Sequence, residues 1–335
     1  CTIGGNVAEN AGGPHCLKYG TTTNHVVALE VLLPDGTVTH LGSPQGEPWG
    51  PDLVGLFVGS EGMFGIALEI TVRLEPIPPS IRTLLADFST VRAATEAVGT
   101  IVAAGIVPAA LEMLDQACVR AVEASIYAAG YPTDAAAVLL VELDGTRSSV
   151  EAEAELVTGM LRAHQARSVR SAETPEDRAR LWQGRKKAFG AMGRVAPDLV
   201  VQDAVVPRSS LPAVLETIGA IGLKYHLTIC NVFHAGDGNL HPNICYDRRD
   251  PDLAVRVDQA SREIMEACVA AGGTITGEHG IGADKIDYMP LIFDPASLAA
   301  MCDVRRAFDP WGRANPNKVI PIHACREWRA GGIDR

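Results

Sequence analysis

No two of the chain's eight cysteines, at 1, 16, 118, 230, 245, 268, 302 and 325, form a C-x-x-C pair. Iron–sulfur ligation and structural zinc sites therefore have no support. A disulfide framework is not expected in a chain of 335 residues, and reduced thiols are the default. No uninterrupted apolar run approaches the roughly 20 residues of a membrane helix, so the chain reads as soluble, with no membrane span. Positive charge is short as well: 29 Lys and Arg stand against 40 Asp and Glu, a net −11. Such a field repels nucleic acid and acidic lipid headgroups. A small anion would need a local cationic patch. Low-complexity tracts are lacking, and hydrophobic residues reach 47%, enough for one large domain or two. An initiator Met is lacking too. Cys1 opens on a glycine-rich segment, and domains seldom begin in mid-motif, so missing upstream residues are expected.

Residues 1–20 hold five glycines and two asparagines, suited to a backbone bent tightly around a ligand. Val26 to Leu33, Pro34-Asp35-Gly36 and Thr37 to Leu41 read as a β-hairpin. Leu53 to Val58 leads to a second glycine-rich turn at 59–66, followed by a β-type run from Ala67 to Leu74. Pro76, Pro78 and Pro79 then mark a domain boundary. Beyond it, Ser89 or Thr90 caps a helix with apolar residues at Val91, Ala94, Val98 and Ile101. Strands are expected at Val138–Leu143, Leu199–Val206 and Leu227–Phe233, and helices at 149–167, 211–223, 255–271 and 296–308. The pattern suits an α+β domain with helices on one face of a sheet.

The strongest local signal is His234-Ala-Gly-Asp-Gly-Asn-Leu-His241, flanked by β-prone runs. Asp237-Gly238 is the preferred pair for a type I′ turn. Counting outward from it, His234 faces His241 on one sheet face, and Asn243 lies beside His241. Two imidazoles so placed can share one ion. Gly277-Glu278-His279-Gly280-Ile281-Gly282 offers a carboxylate as third ligand and an imidazole as a neighbouring acid/base group. Two His and one carboxylate leave open positions, as a catalytic metal requires.

Arg185-Lys186-Lys187 lies in an expected helix. It reads either as a solvated face or as a site where Arg185 clamps a substrate carboxylate. The amino-terminal glycines suit phosphate binding through backbone N–H groups. They do not fit G-x-G-x-x-G after a strand, which disfavours a Rossmann nicotinamide site.

Six motifs in order, T-I-G-G-N-V-A-E-N-A-G-G, G-S-E-G-M-F-G-I, L-W-Q-G-R-K, F-H-A-G-D-G-N-L-H-P-N, G-E-H-G-I-G and N-P-N-K, resemble the FAD-linked oxidases of the vanillyl-alcohol oxidase type. Within that family the resemblance is to the branch acting on glycolate, D-lactate and D-2-hydroxyglutarate. It implies a partial FAD-binding domain at 1–78 and a substrate and metal domain at 79–325, with a mainly antiparallel sheet covered by helices. It also implies a 310–325 segment returning to the flavin and a 326–335 tail. By resemblance, Gly4, Gly5, Asn6, Asn10, Gly12, Gly62, Gly65 and Ile66 line the FAD, with Asn315 and Lys318 near its ring. His234, His241 and Glu278 hold a zinc- or manganese-like ion, His279 is the general base, and Arg185 and Asn243 bind substrate. Members carry an upstream subdomain that wraps the FAD pyrophosphate. This sequence has no counterpart to it, so weakened flavin binding is expected.

The implied reaction is oxidation of a 2-hydroxy acid to the 2-oxo acid. An iron–sulfur electron-transfer subunit is the implied partner, and the implied location is cytoplasmic or at the inner membrane through partner subunits. Two rival readings are a flavin-deficient fragment acting only in assembly and a metal hydrolase using His234, His241 and Glu278.

Overall fold

β-Branched residues and turn chemistry account for the first sheet of the computed structural model, which describes residues 1–45 and 50–321. The expected 326–335 tail and Cys325 lie outside the described residues. Strands β1 (Val26–Leu32) and β2 (Val38–Gly42) pair antiparallel with Leu32 opposite Val38, and β3 (Ile66–Val72) pairs on the other side of β1. Asp35 closes the hairpin by accepting the Thr37 N–H at 2.8 Å, an Asx turn. The chain divides into two compact units, and this sheet belongs to the first, which among the described residues takes in 1–13, 19–45, 50–76 and 275–321. Its core joins Val7, Leu29, Val31, Val54, Phe57 and Phe64 to Cys302 and Ile320. Residues from 275 onward thus pack with the amino-terminal segment, a return that begins well before position 310.

The opening glycine-rich segment differs from the expectation of a tight loop. Ile3–Glu9 is a short helix capped by Thr2, whose hydroxyl accepts the Gly5 N–H at 3.1 Å. That cap satisfies one orphan donor of the first turn, which offsets some of the backbone entropy cost of two adjacent glycines. Leu53–Phe57 is likewise a helical turn, capped by Asp52.

The second unit spans residues 14–18 and 77–274 and holds a nine-stranded sheet. Its strands are β4 (Ser80–Phe88), β5 (Ala110–Asp115), β6 (Ala137–Gly145), β7 (Ser168–Ser171), β8 (Asp198–Val201), β9 (Ala204–Val205), β10 (Thr228–His234), β11 (Asn239–Leu240) and β12 (Pro242–Tyr246). The order is β7-β4-β6-β5-β10-β11-β9, and β12 pairs with both β10 and β8. Every pairing is antiparallel. The run expected as one strand at 199–206 is two strands, broken at Gln202 and Asp203.

Helices cover both faces of this sheet, not one. The face carrying Ala110, Leu114, Val138, Leu140 and Val232 packs against Gln116–Glu123, Pro175–Lys186 and Ala188–Met192. On the opposite face, Met113 lies by Leu215 and Gly219 of the helix Leu211–Tyr225. Double coverage explains why Ala137 to Val141 is an unbroken buried apolar run. Thr90 caps the helix Val91–Ala103, as its position before the apolar period predicts. Cys1, Cys16, Cys118, Cys230, Cys245 and Cys268 are free thiols. Cys302 is disulfide-bonded, so reduced thiols are not the rule throughout.

Gly184 lets the helix Pro175–Lys186 approach its neighbours closely. A Cβ there would meet the Ala129 Cβ at 2.7 Å and the Tyr131 ring and hydroxyl at 2.9 Å. The same Tyr131 hydroxyl donates to the Leu181 carbonyl at 2.5 Å. Gly184→Ala should therefore lower stability by about 1–3 kcal/mol through overpacking. A change at the exposed neighbour, Gln183→Ala, should stay within about 0.5 kcal/mol. Urea unfolding of both variants checks this, and equal midpoints would refute the close approach.

Candidate active site

Cross-strand pairing in the second unit builds a row of buried polar groups. His234 stands opposite Glu112 across the β5–β10 ladder and opposite Asn239 across β10–β11. Directly opposed residues share a sheet face, so Glu112, His234 and Asn239 lie side by side. Asn239 also opposes Val205, which returns Asp203 to that face by the period of two. The Asn239 amide donates to the Asp203 carboxylate at 2.8 Å. Glu112 and Asp203 are 0% exposed, His241 2% and His234 6%.

This register corrects the sequence expectation, in which His234 faced His241. The residues between the paired His234 and Asn239 form the turn, and only Gly238 among them takes a left-handed backbone, at φ +83°. A type I′ turn centred on Asp237-Gly238 would need Asp237 there as well. Instead Asp237 accepts the Asn239 N–H at 3.1 Å, and the Gly238 N–H reaches the His234 carbonyl at 3.2 Å. A slip of two residues leaves every side chain on its original face. His241 therefore sits diagonal to His234 on the same face, with ring centroids 5.2 Å apart and planes at 88°. Asn243 shares that face. Its amide donates to the Cys230 carbonyl at 3.0 Å and the His241 carbonyl at 2.5 Å. The Asn239 and Asn243 side-chain oxygens are buried without a hydrogen bond.

The His234 Nδ1 lies 2.7 and 2.9 Å from the two Glu112 oxygens. Two lone pairs at that distance would repel, so Nδ1 carries a proton and donates, and in the neutral ring the lone pair is then on Nε2. Arg185 Nη2 binds the same carboxylate at 2.5 Å. Its 3.3 Å approach to His234 Nδ1 follows from the shared acceptor. Burial pushes the Glu112 carboxyl up, but the charges of Arg185 and His234, with their hydrogen bonds, bring it below the usual carboxylate value.

The Arg-Lys-Lys run divides at this helix end: Arg185 is buried, while Lys186 and Lys187 are exposed. One Arg185 donor is committed to Glu112, and Nε has no hydrogen bond. The helix carrying it is seated by Glu142, a second buried carboxylate. Glu142 accepts from Arg178 at 2.8 and 2.9 Å, from the Trp182 indole at 2.6 Å and from Thr83 at 2.8 Å.

The first unit gathers the remaining motifs. Glu61 accepts the Ile281 and Gly282 N–H groups, each at 2.7 Å. Its own N–H donates to the Ala8 carbonyl, and its carbonyl accepts the Asn315 amide at 2.5 Å. Glu278 is half-buried and His279 exposed on the loop so held. Beside it, burial and the charge of Glu61, partly countered by Lys285, push the Glu9 carboxyl up to about 7. Gly62 faces Asn315, and Ile66 is 61% exposed. Gly65 has an internal reason: a Cβ there would lie 2.4 Å from the Leu32 carbonyl. Asn10 also works inside the fold, closing the helix Ile3–Glu9 at φ 50° and accepting the Thr23 N–H at 2.9 Å.

The second unit thus brings together His234, His241, Asn243 and Arg185. Glu278, His279, Gly4, Gly5, Asn6, Gly12, Asn315 and Lys318 belong to the first. Sequence reasoning missed Glu112, Asp203, Glu142 and Glu61. The signal for Glu112 was a lone charge inside the apolar run Ala-Leu-Glu-Met-Leu, where a buried polar group is the informative one.

Residues 77–319 match the carboxy-terminal domain of FAD-linked oxidases, and residues 1–42 match an FAD-binding domain. The chain is 48% identical over 331 residues to the glycolate oxidase subunit GlcD of Escherichia coli (strain K12), covering 98% of this chain and 66% of that protein. It is 43% identical to the GlcD of Bacillus subtilis, covering 95% and 68%. It is 32% identical to a mitochondrial D-lactate dehydrogenase of Arabidopsis thaliana, covering 97% and 57%. The chain therefore spans about two thirds or less of the relatives it matches. Among solved structures, p-cresol methylhydroxylase with bound substrate superposes with a TM-score of 0.76 at 17% identity, covering 92% of this chain and 67% of that one. That likeness shows the fold alone.

The shared carboxylate gives a test by double-mutant cycle. Glu112→Leu strands the buried Arg185 charge and should cost about 3–5 kcal/mol. Adding Arg185→Leu should recover part of that loss, a coupling of about 0.5–3 kcal/mol in urea unfolding. Strictly additive losses would mean the two side chains do not interact.

Proposed function

The chain belongs to the FAD-linked oxidase family, and from that premise we propose that it carries out flavin- and metal-dependent oxidation of a 2-hydroxy acid, of glycolate or D-lactate type, to the 2-oxo acid. The observation that carries the reading is the buried Arg185–Glu112–His234 group, a fixed imidazole tautomer beside a guanidinium. Names of the relatives support the substrate class: two are glycolate oxidase subunits and one a D-lactate dehydrogenase.

The residues present fit both groups the family implies. His234 and His241 share one face, with the His234 Nδ1 proton held by a carboxylate, the arrangement that leaves Nε2 basic for a divalent ion. Glu278 is the carboxylate we assign as third ligand, for a zinc- or manganese-like ion. Ile66, Gly62 and Asn315 offer an exposed apolar and amide surface for the flavin, together with Gly4, Gly5, Asn6, Gly12 and Lys318. When bound, FAD supplies the hydride acceptor and the ion supplies a Lewis acid that lowers the pKa of the substrate hydroxyl.

The chain's own residues then do the following. Arg185 orients the substrate carboxylate, with its Nε as the donor addressed to it, and Asn243 lines the pocket beside it. His279 takes the hydroxyl proton while hydride leaves C2, so the substrate loses two electrons and one base gains one proton. Glu112 keeps Arg185 and His234 fixed throughout. We also assign an iron–sulfur electron-transfer subunit as partner, which the names of two relatives as subunits of glycolate oxidase support. Among the described residues, no helix is long and apolar enough to cross a membrane. Location in the cytoplasm, or at the inner membrane through such a partner, is part of the same proposal.

The test uses the full-length flavin-loaded protein. His279→Ala should keep its flavin and its metal yet reduce flavin about 10²–10⁴-fold more slowly in single-turnover mixing with glycolate or D-lactate. His241→Ala should lose bound metal by elemental analysis. Unchanged flavin reduction in the first variant would remove the general base, and unchanged metal content in the second would remove the metal site.

A further inference from the structure

Glu61 is the member of the G-S-E-G-M-F-G-I segment to which a flavin-lining role gives no task. Its backbone lies in the left-handed region at φ 49°, between Gly59 at 81° and Gly62 at 73°. That region disfavours any residue with a Cβ, and the other two positive-φ residues of this turn, Gly59 and Gly62, are glycines. The position therefore carries a side chain against its backbone preference. What the side chain does is visible: each carboxylate oxygen accepts one of two successive N–H groups, Ile281 to Oε1 and Gly282 to Oε2, at 2.7 Å each. Successive amides turned toward one anion form a nest. Gly280 and Gly282 supply the positive φ values it needs, 80° and 52°. At Gly280 the loop backbone lies so close that a Cβ would stand 2.7 Å from the Glu61 Oε1 and 2.0 Å from the Glu9 Oε2. Loop, carboxylate and glycine turn form one packed object.

We propose that Glu61 is a positioning residue that fixes the 277–282 loop, and with it the Glu278 and His279 side chains, to the segment expected to bind flavin. The backbone bonds of Glu61 extend the tie in both directions, to Ala8 of the first glycine-rich segment and to Asn315 of Asn-Pro-Asn-Lys. Four separated sequence motifs thereby meet on one residue. The placement of the loop rests on the geometry alone, and its consequence for catalysis rests on the reaction proposed above.

Glu61→Gly is the informative variant. Glycine accepts the left-handed backbone without strain, so the turn and its main-chain bonds persist while the carboxylate is deleted. Glu61→Gln keeps the volume and one acceptor oxygen and serves as the conservative control. In the full-length flavin-loaded protein, amide hydrogen exchange at Ile281 and Gly282 should accelerate about tenfold or more in Glu61→Gly, as expected for charge-assisted bonds. The Gln variant should fall between it and the parent. Flavin content should be unchanged, the single-turnover reduction rate should fall at least about tenfold, and the KM for glycolate should move little. Unchanged exchange in both variants overturns the tether. Faster exchange with an unchanged reduction rate overturns the positioning role. If the parent protein reduces its flavin with no 2-hydroxy acid, the functional reading fails, and the exchange measurement still decides the tether.

Discussion

A single buried carboxylate organises the second unit's polar cluster. Glu112 is 0% exposed and binds both Arg185 and His234. Burying an isolated carboxylate is prohibitive, and burying an isolated guanidinium equally so. Each makes the other tolerable, and the imidazole N–H adds a further donor. The consequence reaches past stability. Because Nδ1 must donate to Glu112, the tautomer of His234 is settled by a neighbour on the adjacent strand and not by whatever binds the ring's other nitrogen. Similarly, Arg185 cannot swing out to solvent without stranding Glu112. The geometry at the sheet face is thus set before any ligand arrives, which is what preorganisation means in physical terms.

The first unit reaches the same end with backbone instead of buried charge. Its glycines serve different purposes that composition does not separate. Gly65 is needed because the Leu32 carbonyl occupies the space of a side chain, and Gly280 because two carboxyls do. Gly4 meets nothing within 4 Å where a Cβ would project, so no internal packing explains it. The asparagines divide similarly: Asn10 terminates a helix and holds a turn, whereas Asn315 bonds to a neighbouring motif with its amide. A glycine-rich stretch is therefore only partly about ligands, and its internal share is visible only with coordinates.

Local chemistry made much of the fold legible. The hairpin at Pro34-Asp35-Gly36, the Thr90 cap and the long helices all follow from turn preference, capping and a 3.6-residue apolar period. Where reading failed, a non-local partner had decided the outcome. The β8–β9 break sits at Gln202, which bonds to Ser261 of a distant helix, and at Asp203, which accepts from Asn239. The His234 turn obeyed the ladder of β10 with β5 and β12, not the preference of Asp-Gly for a two-residue loop. That error was harmless to the site because it was an even number of residues. Helix placement on both sheet faces could not be read at all, since a strand buried on two sides carries no alternation to show which face a helix takes.

Formal charge gives the cluster a requirement that geometry alone does not state. Arg185 and Glu112 form a buried pair of opposite charge, so the guanidinium already has its counter-ion. That pair is neutral, and Arg185 offers an arriving anion its Nε donor but no uncompensated charge. A 2-hydroxy acid brings one negative charge, and ionising its hydroxyl would bring another. In a site this buried, where Coulomb terms are weakly screened, such charges would call for a counter-charge. In the proposed reaction that counter-charge is assigned to a divalent cation on the His234 and His241 face.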